Sequence, residues 1–206
     1  MHRFKAYRTF QDDNHVSSRF VEMTEEELDP GDVLLRTKYS TINYKDALSY
    51  NGAGRIMRKF PTVGGIDMAG TIEVSADPRF KRGDKVIVHA YDFGVAHDGG
   101  YAEYVRVPGD WIVRRPEHMT AFDAMTLGTA GFTAAQAIML MEYNGLKPEN
   151  GPVAVTGAGR WMFLVRPGAI LHPATPGRDR RSRWALRQRS APIDRHARPA
   201  GSAAGR

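Results

Sequence analysis

The chain has 206 residues, of which 42% are hydrophobic and 25% charged, and it contains no cysteine. This composition is ordinary for a soluble globular protein, and the lack of cysteine excludes disulfides and thiolate metal ligands. The formal net charge of +6 is unevenly distributed. Residues 160–206 hold 11 Arg and two Asp, which is +9, and residues 1–159 therefore carry −3. This asymmetry indicates two segments of different history or role.

Targeting signals are not apparent in the sequence. The first residues, MHRFKAYRTFQDD, lack the apolar core of a secretory signal, and no run of about 18 apolar residues is present. We therefore expect a cytoplasmic protein without a membrane-spanning segment. The arginine-rich segment is expected to attract nucleic acid only non-specifically, with a steep dependence on salt.

Residues 1–118 are predicted to be mainly β. Short β-branched runs separated by Gly, Pro and Asp turns favour a barrel or sandwich over a parallel sheet. A short helix is predicted over Asp46–Tyr50, because Asn51-Gly52 is a strong stop signal. The predicted strands cover residues 33–39, 71–74, 86–88 and 101–107.

The hydrophobic period changes at residue 120. Thr120 stands three residues before Asp123, which is typical of a capping box at the start of a helix. The Ala-, Met- and Leu-rich stretch that follows is predicted to be helical as far as Tyr143. Gly128 and Gly131 are expected to interrupt this helix, because glycine is a poor helix former.

A short buried strand is predicted over residues 152–156, and it leads into the glycine turn of Gly157, Ala158 and Gly159. Glycines at such a turn allow a pyrophosphate to approach the backbone amides. A G-x-G-x-x-G fingerprint would need a third glycine, where this chain has Met162. Taken alone, the motif fits a nucleotide-binding turn or an ordinary strand-to-loop turn.

Beyond residue 159 no helical or strand period persists. Residues 160–206 combine 11 Arg and five Pro with few apolar residues, a composition that cannot bury enough surface to fold alone. We hypothesise a reading-frame shift near codon 159. The expected organisation is therefore a β domain over 1–118, a linking helix and strand over 119–159, and a tail over 160–206.

Two polar segments are candidates for a functional site. Ser40–Asp46 lies at a predicted strand-to-helix junction, where it either positions a ligand or caps the helix through Asn43 or Asp46. In Gly64–Gly70, Asp67 is either buried and functional or hydrogen-bonded to the turn. Three isolated histidines are interpreted as surface or loop residues, namely His89, His97 and His118. Three methionines of the later helix are interpreted as core or interface residues, namely Met125, Met139 and Met141.

Several segments occur together in order and at suitable spacing. They are Ile42–Ala47, Gly65–Gly70, Asp77–Phe80, Gly109–Trp111 and Gly128–Ala134. Together they resemble the acrylyl-CoA reductase and quinone oxidoreductase branch of the medium-chain dehydrogenase/reductase family, over about residues 1–159. The resemblance implies a GroES-like β domain, a distorted barrel, followed by a Rossmann domain that here is truncated. It also implies a homodimer.

The resemblance further implies NADPH as cofactor and hydride transfer to a carbon–carbon double bond activated by a thioester or ketone. The acceptor would be acrylyl-CoA, another enoyl thioester or a quinone. By the same resemblance the cofactor contacts are Tyr44 beside the nicotinamide, its neighbours Asn43 and Asp46, the helix residues Thr129 and Thr133, and the turn residues Gly157 and Ala158. No proton donor or other catalytic residue can be named.

The sequence also predicts the zinc-free branch. Zinc-dependent relatives carry Gly-His-Glu where this chain has Gly65-Ile66-Asp67, and an isoleucine side chain cannot ligate a metal. The family pattern breaks after Ala158, so about half of the enzyme is missing and this chain by itself is expected to lack activity. The alternative is a non-enzymatic GroES-like module that binds a partner or dimerises through the Met-rich helix and carries a basic tail.

Overall fold

The computed structural model describes residues 3–13 and 15–150, which all fall within one compact unit of the chain. Gly157, Ala158 and the arginine-rich tail lie outside the described residues. The described elements are β1 Phe4–Asp12, β2 His15–Met23, β3 Val33–Ser40, α1 Tyr44–Tyr50, β4 Thr62–Val63, β5 Asp67–Ser75, β6 Lys85–His89, β7 Tyr104–Val107, β8 Ile112–Arg114 and α2 Ala121–Tyr143.

The strands form two antiparallel sheets. The smaller sheet has the order β2-β1-β4, and the larger one has the order β7-β3-β5-β6-β8. β5 lies at the centre of the larger sheet, between β3 and β6, and its first residue is Asp67. The prediction of a mainly β region built from antiparallel strands is therefore confirmed.

One apolar core joins the two sheets. Phe4 and Met23 enter it from the smaller sheet, and Val86 and Val88 alternate into it along β6. Each such side chain stabilises the fold by about 1.5–3 kcal/mol when it is fully buried. The alternation of buried and less buried residues along β6 is the pattern expected of a sheet with one face on a core.

The predicted elements agree with the structure to different degrees. The strands at 33–39 and 86–88 and the helix at 46–50 are confirmed, and α1 begins two residues earlier than predicted. The strand at 71–74 is longer, because β5 starts at Asp67. A side chain at Gly70 would lie 2.0 Å from the carbonyl oxygen of Arg36, so the glycine there permits the close approach of β3. The strand predicted over 101–107 is regular only from Tyr104.

Helix α2 confirms the predicted cap and one of the two predicted interruptions. Thr120 Oγ1 accepts a hydrogen bond from the Asp123 N–H at 3.1 Å. Gly128 leaves helical geometry, with φ 49° and ψ −161°. The predicted interruption at Gly131 is wrong, because that residue stays helical. The difference is tertiary, because a side chain at Gly128 would meet Asp67 and Thr41, whereas the atoms nearest to a side chain at Gly131 belong to Leu127 of the same helix.

The histidines only partly follow the prediction of surface or loop positions. His118 is exposed, but His89 lies in β6 and is half-buried. His97 is in a loop and is 9% exposed, with its two ring nitrogens 3.1 Å and 3.0 Å from the carbonyl oxygens of Asp98 and Pro30. Carbonyl partners for the ring explain why this imidazole can be buried.

Candidate functional site

A pocket of about 220 Å³ opens where three segments meet. These segments are the junction of β3 and α1, the loop between β4 and β5, and the break in α2. The lining residues are Asn43, Tyr44, Lys45, Ile66, Thr129 and Ala130.

The structure brings three of the predicted cofactor contacts together. Asn43, Tyr44 and Thr129 all line the pocket, and Tyr44 is 75% exposed. Asp46 is buried and is not a lining residue. Thr133 is exposed one helical turn after Thr129, and its hydroxyl donates to the Thr129 carbonyl oxygen at 2.8 Å. Contact of any of these residues with a cofactor stays a prediction.

The capping interpretation of the Ser40–Asp46 segment also describes its geometry. Asn43 is the N-cap of α1, and its backbone N–H donates to Asp46 Oδ2 at 2.7 Å. The other oxygen of Asp46 accepts from the Ile66 N–H at 3.3 Å. Burial raises the pKa of the Asp46 carboxyl, and the neighbouring Asp67 adds to the rise. Asp46 thus connects α1 to the loop that carries Ile66.

Asp67 is fully buried, and its carboxylate accepts four hydrogen bonds. Its Oδ2 accepts from Thr41 Oγ1 and Asn43 Nδ2, each at 2.8 Å, and from the Thr129 N–H at 3.0 Å. Its Oδ1 accepts from Thr129 Oγ1 at 2.5 Å. Of the two interpretations that the sequence left open for Asp67, the structure therefore favours burial at the site over a bond to its own turn.

Tyr101 is hydrogen-bonded to the junction of β3 and α1, next to the pocket. Its hydroxyl donates to the Thr41 carbonyl oxygen at 2.8 Å, and its ring packs against Gly64 and Gly65. Burial raises the pKa of Tyr101 well above its usual range, and the negative charge of Asp46 adds to the rise. The phenol is therefore a neutral donor that fixes the backbone at Thr41.

His89 lies beside this network. It is the register partner of Asp67 on the neighbouring strand, so the two side chains stand on the same face of the sheet. The His89 ring packs 4.6 Å from the ring of Phe132, which follows the break in α2. Within the described residues its Nδ1 is buried without a hydrogen-bond partner.

Sequence reasoning missed several of these residues. Lys45 and Ala130 line the pocket, although the sequence indicates Lys45 only as part of the polar segment Ser40–Asp46 and Ala130 only as part of Gly128–Ala134. Thr41 and Tyr101 were not singled out for the site, although the first belongs to the polar segment and the second follows a Gly-Gly pair. A polar residue beside a predicted N-cap was the available signal for Thr41. Nothing local identifies Tyr101, because it meets Thr41 across 60 residues of sequence.

Two expected absences remain predictions. In the part of the chain that the structure describes, no three His, Asp or Glu side chains gather in a metal-binding arrangement. The zinc-free assignment still rests on the sequence. Helix α2 is long and apolar enough to cross a membrane, but core helices of soluble proteins often share this length and composition. The expected lack of a membrane segment and the cytoplasmic location are likewise predictions.

The comparisons with known proteins agree on one family. Residues 29–117 match the Alcohol dehydrogenase GroES-like domain. YhfP of Bacillus subtilis, whose name assigns it to the quinone oxidoreductases, is 46% identical over 155 residues, which is 75% of this chain and 47% of that protein. Acrylyl-CoA reductase AcuI of Ruegeria pomeroyi is 46% identical over 146 residues, covering 71% of this chain and 44% of the relative.

A solved structure shows the same arrangement. The crystal structure of Escherichia coli K-12 YhdH with bound NADPH superposes with a TM-score of 0.69 at 42% identity, over 71% of this chain and 45% of that chain. The chain thus spans less than half the length of the relatives that it matches. The GroES-like assignment is confirmed.

Proposed function

Because this chain belongs to the acrylyl-CoA reductase and quinone oxidoreductase branch of the medium-chain dehydrogenase/reductase family, we propose that it supplies the catalytic-domain half of an NADPH-dependent reductase. The reaction proposed is reduction of a carbon–carbon double bond activated by a thioester or ketone. Its acceptor is acrylyl-CoA, a related enoyl thioester or a quinone.

One observation carries this proposal. Asn43 and Tyr44 are separated from Thr129 by about 85 residues of sequence, yet all three line a single pocket. Residues that meet only through the fold and share one concave surface are the usual form of a ligand site. This shared pocket supports the proposal that one ligand contacts Asn43, Tyr44 and Thr129.

The lining side chains fit the nicotinamide end of such a cofactor. The exposed ring of Tyr44 offers a flat apolar surface, and Ile66 contributes an aliphatic wall without a metal-ligating atom. Bound NADPH would supply the hydride. Conjugate reduction then needs stabilisation of the negative charge that develops on the carbonyl oxygen of the acceptor. Lys45 is the one cationic lining group and makes no ion pair within the described residues, so we assign this role to its ammonium group.

The phosphate end of the cofactor is proposed to bind residues outside the described part of the chain. Gly157 and Ala158 are proposed to form the turn that approaches the pyrophosphate. The chain spans only about 45% of the length of the relatives. We therefore propose that these 206 residues by themselves bind NADPH weakly and show little or no turnover. Homodimerisation, implied by the family resemblance, is also a proposal.

The test is a fluorescence titration of the complete 206-residue chain with NADPH, followed by NADPH oxidation assays with acrylyl-CoA and with a quinone. Lys45→Met should leave the affinity for NADPH within about twofold and abolish any turnover, because the charge acts on the acceptor. Lys85→Met removes an exposed lysine at the start of β6 and is the matched control. Absence of any NADPH binding by a folded chain would contradict the proposed function.

A second candidate is a non-enzymatic module that dimerises through α2. Large apolar side chains remain exposed along this helix: Phe122, Leu127, Phe132, Met139, Leu140 and Tyr143. Exposed apolar surface of this extent is typical of an interaction site. Sedimentation should then show a dimer that Met139→Lys dissociates, together with no NADPH binding. A monomer at all concentrations would exclude this candidate.

A further inference from the structure

We propose that Asp67 is the positioning residue that fixes the walls of the pocket relative to one another. It is not a lining residue, but it bonds to Asn43 and Thr129, which line the pocket from opposite segments. The geometry stands on the structure alone, while the effect on NADPH rests on the proposed function.

The network requires an acceptor at this position. All four bonds to the Asp67 carboxylate come from donors, and two of them, the Asn43 amide and the Thr129 backbone N–H, cannot reverse their direction. Both of these donors bond to Oδ2, whereas Oδ1 accepts from the Thr129 hydroxyl, which can also act as an acceptor. An asparagine whose amide oxygen occupies the Oδ2 position would therefore keep the network, whereas an alanine would leave the buried donors without their acceptor, which is costly.

Asp67 also sets the orientation of the Asn43 amide. The two hydrogens of Nδ2 are both used, one on Asp67 Oδ2 and one on Thr41 Oγ1, each at 2.8 Å. The flipped amide would turn its oxygen towards a carboxylate, so this orientation is the stable one. Asn43 thus has no N–H left for a ligand and can offer only its oxygen. A ligand group that meets Asn43 must be a donor, such as a carboxamide NH2.

The break in α2 at Gly128 also contributes to the positioning of the pocket walls. In an unbroken helix the Thr129 N–H would bond to the carbonyl oxygen of Met125. Here Gly128 is non-helical and that N–H is turned to Asp67 instead. A side chain at residue 128 would lie 3.0 Å from Asp67 Oδ2 and in a strained conformation, since φ is +49°. Gly128 and Asp67 together bring Thr129 and Ala130 to the pocket.

Asp67→Ala in the complete chain tests this role, with Asp98→Ala as the matched control. Asp98 is also buried and accepts two backbone N–H groups, from Val63 and Asp29, but neither of them lines the pocket. Hydrogen exchange of the amides at residues 129–132 measures the local effect. NADPH fluorescence measures the effect on binding, and the unfolding midpoint measures global stability.

We expect Asp67→Ala to speed exchange at residues 129–132 by at least about tenfold and to weaken NADPH binding by a similar factor. Asp98→Ala should change the unfolding midpoint and leave both local readouts unchanged. Equal effects of the two variants on the pocket, or no effect of Asp67→Ala, would overturn the proposal. If Asp67→Ala does not fold, Thr129→Val should show the fast exchange, and Thr129→Ser, which keeps the hydroxyl, should show the slow exchange of the wild type. Equal exchange in Thr129→Val and Thr129→Ser would also overturn the proposal.

The two proposals fail separately. A wild-type chain that binds no NADPH contradicts the proposed function, whereas the exchange comparison still decides the role of Asp67. Fast exchange in Asp67→Ala without a change in the NADPH affinity would limit Asp67 to a structural role and so overturn its assignment as a positioning residue.

Discussion

Gly65 and Gly83 offer a paired test of how crowding at the pocket contributes to stability. Both have positive φ, +91° and +89°, so an alanine at either residue meets the same kind of backbone strain. At Gly83 nothing lies within 4 Å of an added Cβ. At Gly65 the added Cβ would lie 2.6 Å from Tyr101 Cδ1 and 2.9 Å from the Tyr101 backbone nitrogen. Only Gly65→Ala therefore forces the ring of Tyr101 to move.

The expected losses in the free energy of unfolding follow from the backbone strain and from the overpacking. Positive φ costs a non-glycine residue about 1–2 kcal/mol, which is the whole loss expected for Gly83→Ala. Overpacking adds about 1–3 kcal/mol, so Gly65→Ala should lose about 2–5 kcal/mol in all. Because Tyr101 donates to the Thr41 carbonyl oxygen, Gly65→Ala should also loosen the β3–α1 junction.

The assay is urea denaturation of the complete chain and both variants, with unfolding followed by circular dichroism. The slope of the free energy with urea should stay the same, so that the midpoints report stability directly. Equal losses from the two substitutions would refute the reasoning, because they would show that the contact with Tyr101 has no energetic consequence. A loss from Gly83→Ala larger than that from Gly65→Ala would refute it as well.

Three further predictions concern other parts of the fold. Ala90 has φ +68°, so Ala90→Gly should raise the free energy of unfolding by up to about 1 kcal/mol in urea titrations; a loss would contradict this strain. Burial raises the pKa of Asp98, so the stability that its protonated carboxyl contributes is complete below the unfolded pKa and is lost as the pH rises through the folded pKa. Above about pH 4 the melting temperature should therefore fall less steeply with pH in Asp98→Asn than in wild type, and parallel curves would refute this. Thr120→Ala removes the N-cap of α2 and should cost about 1 kcal/mol in urea denaturation, whereas Thr120→Ser should cost much less.

The sequence predicts well those elements whose signals are local. β3 and β6 have β-branched runs between turn residues, and α2 has a capping threonine three residues before an aspartate. The first hairpin, β1 and β2, was not predicted as separate strands. Its residues are mostly half-buried or exposed and include many charged and polar side chains, so the apolar alternation that identifies a strand is weak there.

The candidate site divides in the same way. Asn43 and Asp46 are recognisable from sequence because capping is a local interaction within one turn of helix. The function of Asp67 could not be predicted from its surroundings, since its partners Thr41 and Thr129 lie 26 and 62 residues away. Gly128 and Gly131 have equal helix propensities, and only the contact of Gly128 with Asp67 decides which of them breaks the helix.

The sequence by itself determined the family, the mainly β character of the first 118 residues, and the helix that follows them, because motif spacing and short-range periodicity are written along the chain. The tertiary structure alone decided that Asn43, Tyr44 and Thr129 share one pocket and that a single buried carboxylate holds its walls. The physical reason is that a buried charge must find its donors wherever the fold brings them, and here the fold collects them from segments that are distant in sequence.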